Sequence, residues 1–122
     1  MNNVATLVNK HRANGLLIDT NLLVLYLVGR TNKKRIGNFM RTGSYTIGDY
    51  ELLEDLIGQF RRLVTTPHIL TETSNLSDLS GPEITTLRQF FRNYVDAADE
   101  TIHAGKTIVA DSAFARRRCR AR

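Results

Sequence analysis

From Gly15 to Gly29 the chain reads GLLIDTNLLVLYLVG, an apolar run of strand length that ends on an acid, Asp19, and passes at once into a second apolar run. Gly15 to Asp19 suits a buried strand, and Thr20 or Asn21 can cap a helix over Leu22 to Val28 that Gly29 would end. An ionised carboxylate beside this much hydrocarbon costs on the order of several kcal/mol unless something pairs with it. A strand that stops on an acid also presents it at the carboxyl edge of a sheet, where α/β folds keep their sites. Asp19 is therefore the first candidate for chemistry. The plainer alternative is an acid that interacts with the helix dipole, an effect of about 0.3–1 kcal/mol.

Working outward, Arg30 to Gly43 carries five cationic side chains and reads as a loop or a poorly packed helix. Thr46 caps an amphipathic helix running to about Phe60, with Leu52, Leu53, Leu56, Ile57 and Phe60 inward and the acids Glu51, Glu54 and Asp55 outward. A second strand is expected over Arg62 to Thr66. Thr66 then caps a helix that starts at Pro67, where the missing N–H costs nothing, and runs to about Leu76. Ser80, Gly81, Pro82 and Glu83 form a capping-box pattern for a helix to about Ala98. Its apolar side is Ile84, Leu87, Phe90, Phe91, Tyr94 and Val95. Thr101 to Ile102 reads as extended, and Lys106 to Ala115 as helical. The expected organisation is a lead-in over 1–14, one α/β domain over 15–115, and a disordered Arg-rich tail over 116–122.

A chain of 122 residues has room for one ordinary core. The longest apolar run, Leu22 to Val28, is far shorter than the roughly 20 residues that span a bilayer, so no membrane role is expected. The N-terminal segment lacks an apolar stretch of signal length, which makes the cytoplasm the expected compartment. The single cysteine, Cys119, forms neither an internal disulfide nor a CxxC metal pair. The net charge of +5 equals the five arginines at 116, 117, 118, 120 and 122; the other 12 basic residues balance the 12 acids. The body of the chain is thus neutral. His11, His68 and His103 show no ligand spacing such as HxxxH and read as ordinary structural or exposed residues.

Glu72 falls on the Pro67 helix, on a turn shared with Thr71 and Asn75. Asp19 closes one strand and Glu72 follows the next, so both can meet at one sheet edge. Carboxylate oxygens gathered there suit a hard divalent ion such as Mg²⁺ or Mn²⁺. Lys33, Lys34, Arg35 and Arg41 form the best cluster for phosphate contacts in the folded region, because no acid is interleaved among them in sequence.

IDTNLLV at Ile18 to Val24, together with TPHILTETSNL at Thr66 to Leu76, resembles the PIN domain, in particular bacterial PIN-like proteins with a second acid in a P-x-x-L-x-E-x-S-N-L helix. The resemblance covers roughly residues 15–115. It implies a three-layer α/β sandwich, with a short parallel sheet flanked by helices, and a nuclease that uses one or two Mg²⁺ or Mn²⁺ ions to hydrolyse RNA phosphodiesters. Many such proteins are toxins of toxin–antitoxin pairs. By resemblance Asp19 and Glu72 are catalytic metal ligands, and Asn21 and Asn75 hold those ligands by hydrogen bonds. RNA, a protein antitoxin and a second copy of the chain are the implied partners.

The chain also departs from that pattern. Related proteins continue past an AF-x-R segment into a Leu-Gly-Leu-Thr-Asp-Ala stretch bearing a third acid and a later strand, whereas this chain reads SAFARRRCRAR. The expectation is an incomplete C-terminal part with activity reduced or lost. Asp111 precedes the AF-x-R segment and does not inherit the missing role. The alternative is a catalytically inactive PIN-like module that binds RNA or a protein, in which Asp19 and Glu72 are structural.

Overall fold

The computed structural model describes residues 15–60, 62–99 and 107–110, and the account below concerns these. They form an α/β unit with four parallel strands: β1 (Gly15–Ile18), β2 (Arg62–Val64), β3 (Ala98–Asp99) and β4 (Thr107–Ala110). The helices are α1 (Thr20–Thr31), α2 (Ile47–Gln59), α3 (Pro67–Leu76) and α4 (Glu83–Ala97). The expected lead-in, the Thr101 to Ile102 segment and the arginine tail lie outside the described residues.

Strand order is β3-β2-β1-β4. Leu16 pairs with Leu63 on one side and Ile108 on the other, and Ile18 pairs with Ala110. All four residues of β1 are buried, so both faces of the sheet's centre are shielded, as a parallel sheet requires. The chain therefore steps outward through β2 to β3 and returns to the far side of β1. The order reverses between β1 and β4, and Asp19 sits at that point: its backbone N–H donates to the Ala110 carbonyl oxygen at 2.8 Å.

Helix α1 is the centre of the core. Leu22, Leu23, Val24, Leu25, Leu27 and Val28 are each at most 1 % exposed, and the helix packs against α2, α3 and α4. An apolar run with hydrophobic residues all round is stable only when enclosed in this way. The expected stop at Gly29 does not occur, and α1 continues to Thr31. Gly29 serves packing instead, because a Cβ there would overlap the ring of the fully buried Tyr50 on α2.

Local signals account for the remaining boundaries. Thr46 and Asp49 form a reciprocal capping box at the start of α2, and the Thr66 hydroxyl accepts from Ile69 N–H at the start of α3, with Pro67 at the first helical position. At α4 the expected Ser80 cap is not used. Pro82 occupies the cap position, after Gly81 turns the chain through φ +71°, a left-handed angle that suits glycine. Glu83 spends its carboxylate elsewhere, accepting from Asn32 Nδ2 at 2.9 Å and pairing with Arg35 Nε at 3.1 Å. The segment after α1 contains two short 3₁₀ turns, Lys33–Arg35 and Met40–Thr42, clamped by fully buried Ile36 and by the Thr42 hydroxyl donating to the Ile36 carbonyl oxygen at 2.7 Å.

One expected element changes type. Thr107–Ala110 is a strand and not part of a helix. The β-branched residues Thr107, Ile108 and Val109 favour this outcome once β1 offers an open edge. The sheet thereby has a strand on the far side of β1.

Candidate cation and nucleic-acid site

The carboxyl edge of the sheet collects the first group of candidates. Asp19 occupies the N-cap position of α1 with extended backbone, φ −66° and ψ 158°, yet its side chain makes no capping hydrogen bond and is half-buried. An aspartate at this position ordinarily turns back onto the first turn of its helix. Here the carboxylate remains available at the edge.

Thr20, the first residue of α1, is buried, and its hydroxyl donates to Glu72 Oε1 at 3.0 Å. That bond brings the Glu72 carboxylate beside the residue that follows Asp19. His68, one helical turn before Glu72 on α3, places Nε2 at 3.7 Å from the same oxygen, although both side chains are largely solvated. Such a pair contributes little to stability.

Thr20 is the site residue that the sequence reading missed as such, having taken it for a cap. Its cue was present: a hydroxyl directly after an acid, inside the first helical turn, can reach sideways to a neighbouring helix. Asn21 and Asn75 are both exposed on their helices. The hydrogen bond that positions Glu72 comes from Thr20.

Two more hydroxyls near this edge, those of Thr65 after β2 and Thr73 after Glu72, are buried without a hydrogen-bond partner. Among the described residues no group of three or more His, Cys, Asp or Glu side chains gathers to hold a metal ion. The groups this edge carries are the Asp19 carboxylate and the Glu72 carboxylate, the latter accepting from the Thr20 hydroxyl.

The basic candidates lie at the other end of α1 and are partly neutralised. Lys33 Nζ is 3.0 Å from Glu51, and Arg35 is paired with Glu83. The absence of acids between the cations in sequence was misleading, since α2 and α4 supply them through space. Lys34 and Arg41 are exposed. The same packing corrects the outward reading of Glu54, which accepts from Tyr50 Oη at 3.0 Å and lies 3.5 Å from Arg30, while Asp49 on the same helix is buried in its capping box. Burial and the adjacent Glu54 carboxylate push the Tyr50 hydroxyl well above its ordinary pKa, and burial does the same for Tyr94.

No family model matches the chain, and neither does any curated protein or solved structure. Among the described residues no helix is long and apolar enough to cross a membrane.

Proposed function

We propose that the chain is a PIN-like ribonuclease that depends on Mg²⁺ or Mn²⁺, in the manner of a toxin-type protein, with Asp19 and Glu72 as the cation-holding acids. The observation that carries this reading is the Thr20–Glu72 hydrogen bond beside Asp19, which brings a second carboxylate to the edge where strand order reverses. Open parallel sheets bind their ligands at that place. The motifs at Ile18 to Val24 and Thr66 to Leu76 support the family.

In this reading Asp19 and Glu72 hold the cation, which supplies charge neutralisation at the scissile phosphate and lowers the pKa of a bound water. Thr20 fixes the Glu72 carboxylate by donating to one oxygen and leaving the other free to ligate. The backbone bond from Asp19 to Ala110 keeps the first acid at the strand end. Lys34 and Arg41 are the exposed cations that would meet RNA phosphates, while Lys33 and Arg35 would first have to leave their acids. Two carboxylates give a cation fewer fixed charges than a larger cluster, so binding is weak without substrate and cleavage slow.

The second reading, a catalytically inactive PIN-like module that binds RNA or a protein, is favoured by the absence of a three-acid cluster among the described residues. One experiment separates them. Single-stranded RNA is incubated with the chain and Mn²⁺ or Mg²⁺, alongside Asp19→Asn and Glu72→Gln. Cation-dependent cleavage that both substitutions abolish supports the nuclease. RNA binding of unchanged strength in both variants, with no cleavage at any cation concentration, supports the inactive module.

A further inference from the structure

Helix α3 brings a nitrogen and an oxygen donor together on one side. His68 and Glu72 are four residues apart, a spacing that makes their side chains neighbours on the helix surface. Their near atoms, His68 Nε2 and Glu72 Oε1, are 3.7 Å apart, and the side chains are 80 % and 50 % exposed, so both are open to an ion from solution. That separation is too long for a hydrogen bond. It is close to the roughly 3.4 Å that separates two atoms each bound at about 2.1 Å to a tetrahedral ion. A small side-chain adjustment lets one ion touch both.

One of the two donors is already held in place. The Thr20 hydroxyl, on a buried residue at the start of α1, donates to Glu72 Oε1 at 3.0 Å. Groups that orient a ligating side chain in this way raise its affinity for metal. An ionised carboxylate has about four lone-pair sites, so one hydrogen bond leaves Glu72 free to ligate. Among the described residues no third His, Cys, Asp or Glu joins the pair to make a larger cluster. Water therefore completes the coordination.

The donor types narrow the ion. Mg²⁺ demands oxygen ligands and sheds its waters reluctantly, so an imidazole does little for it. Zn²⁺ accepts imidazole nitrogen and carboxylate oxygen alike. Donors at i and i+4 are also how one turn of helix grips zinc in the H-E-x-x-H motif, with Glu72 here in the place of the second histidine. We propose that His68 and Glu72 form a two-donor site for Zn²⁺, selective over Mg²⁺, with Thr20 as the positioning residue for the carboxylate. The site shares Glu72 with the proposed nuclease and requires neither Asp19 nor cleavage of RNA.

The probe is zinc chloride, titrated into the full chain while the imidazole resonances of His68, assigned by their loss in His68→Gln, are followed by NMR. Because the signal belongs to one residue, zinc taken up by Cys119 or by the other histidines does not enter it. Zn²⁺ is expected to shift these resonances saturably with a midpoint below about 1 mM, and Mg²⁺ at the same concentration to leave them in place. Glu72→Gln should weaken the response by about tenfold or more, and Thr20→Val by about tenfold, with Thr20→Ser restoring it. Rescue by serine assigns the effect to the hydroxyl and not to packing of the methyl group. His68 resonances that zinc leaves unmoved at that concentration overturn the proposal. So does a zinc midpoint that is equal in the parent chain and Glu72→Gln, since the imidazole then binds alone. Saturable zinc binding at His68 in a chain that cleaves no RNA defeats the nuclease reading and upholds this one; Mg²⁺-dependent cleavage without any His68 response to zinc does the reverse.

Discussion

At its carboxyl end α1 is locked in place: Gly29 lies against the Tyr50 ring, Tyr50 donates to Glu54, and Glu83 ties the turn at Asn32 and Arg35 to α4. At its amino end the same helix begins on an acid that makes no capping bond, beside a threonine whose hydroxyl reaches to the half-solvated Glu72 on another helix. One end of the helix is arranged for stability and the other leaves acidic groups available. Natural proteins commonly concentrate such local departures from good capping where chemistry takes place. The contrast predicts that substitutions at the two ends separate stability from site chemistry.

The largest effect is expected at Gly29. Alanine would raise helix propensity by about 1 kcal/mol, but its Cβ must displace a fully buried tyrosine ring, and overpacking of that kind costs typically 1–3 kcal/mol and occasionally more. The added Cβ meets three atoms of the ring itself, which puts the cost at the upper end of that range, so Gly29→Ala should lower stability by about 2 kcal/mol net in urea denaturation. A stability equal to or above that of the parent chain would show that the close contact between α1 and α2 does not exist.

A pH effect localises to the same end. Burial raises the hydroxyl pKa of Tyr94, and burial together with Glu54 raises that of Tyr50, both from an ordinary value of 10.0. The folded chain keeps protons that the unfolded chain releases. This stabilisation is thus complete below about pH 10, the unfolded value, and is lost as pH rises from there through the raised folded values. Thermal melts should show a steep decline above pH 10 that is shallower in Tyr94→Phe. A pH-independent melting temperature up to pH 12 would contradict the buried tyrosine arrangement.

How far the fold could be read in the sequence depends on the range of the signals. Helix α3 was legible to the residue, because Thr66 and Pro67 act within one turn of each other and need no partner from elsewhere. The Thr46 cap of α2 was legible for the same reason. Gly29 was misread because its partner, Tyr50, lies on another helix; a glycine after an apolar run looks the same whether it ends the helix or admits a ring. Strand β4 was hidden by a comparable ambiguity: a short run of β-branched residues becomes a strand here through pairing with β1, from across nearly the whole chain. At the acidic edge Asp19 and Glu72 could be picked out as unusual acids. Thr20 was legible only as a hydroxyl able to reach sideways, and that it reaches Glu72 is set by how α1 packs on α3. The pairing of Lys33 and Arg35 with acids of α2 and α4 was illegible for the same tertiary reason.

Helix α3 lies between these extremes in expected effect. Its Thr66 hydroxyl accepts from Ile69 N–H, and loss of an N-cap of this kind costs typically about 1 kcal/mol. Thr66→Ala should lose that much and Thr66→Ser very little. Equal losses in the two variants would mean that the threonine methyl, rather than the hydroxyl, is what the helix start requires.

The smallest stability effect should fall on the residues that matter most to the proposed chemistry. Asn caps helices about as well as Asp, and the Asp19 side chain makes no capping bond in any case. In Glu72→Gln the amide oxygen can still accept from Thr20, so the contact between α1 and α3 survives the loss of charge. Both variants should unfold within about 0.5 kcal/mol of the parent chain, as substitutions away from packed features do. The same two variants should abolish any rise in melting temperature that Mn²⁺ produces in the parent, because a ligand that binds only the folded state stabilises it in proportion to its affinity. A large destabilisation by either substitution would place these acids among the structural groups of the fold and remove the difference between the two ends of α1.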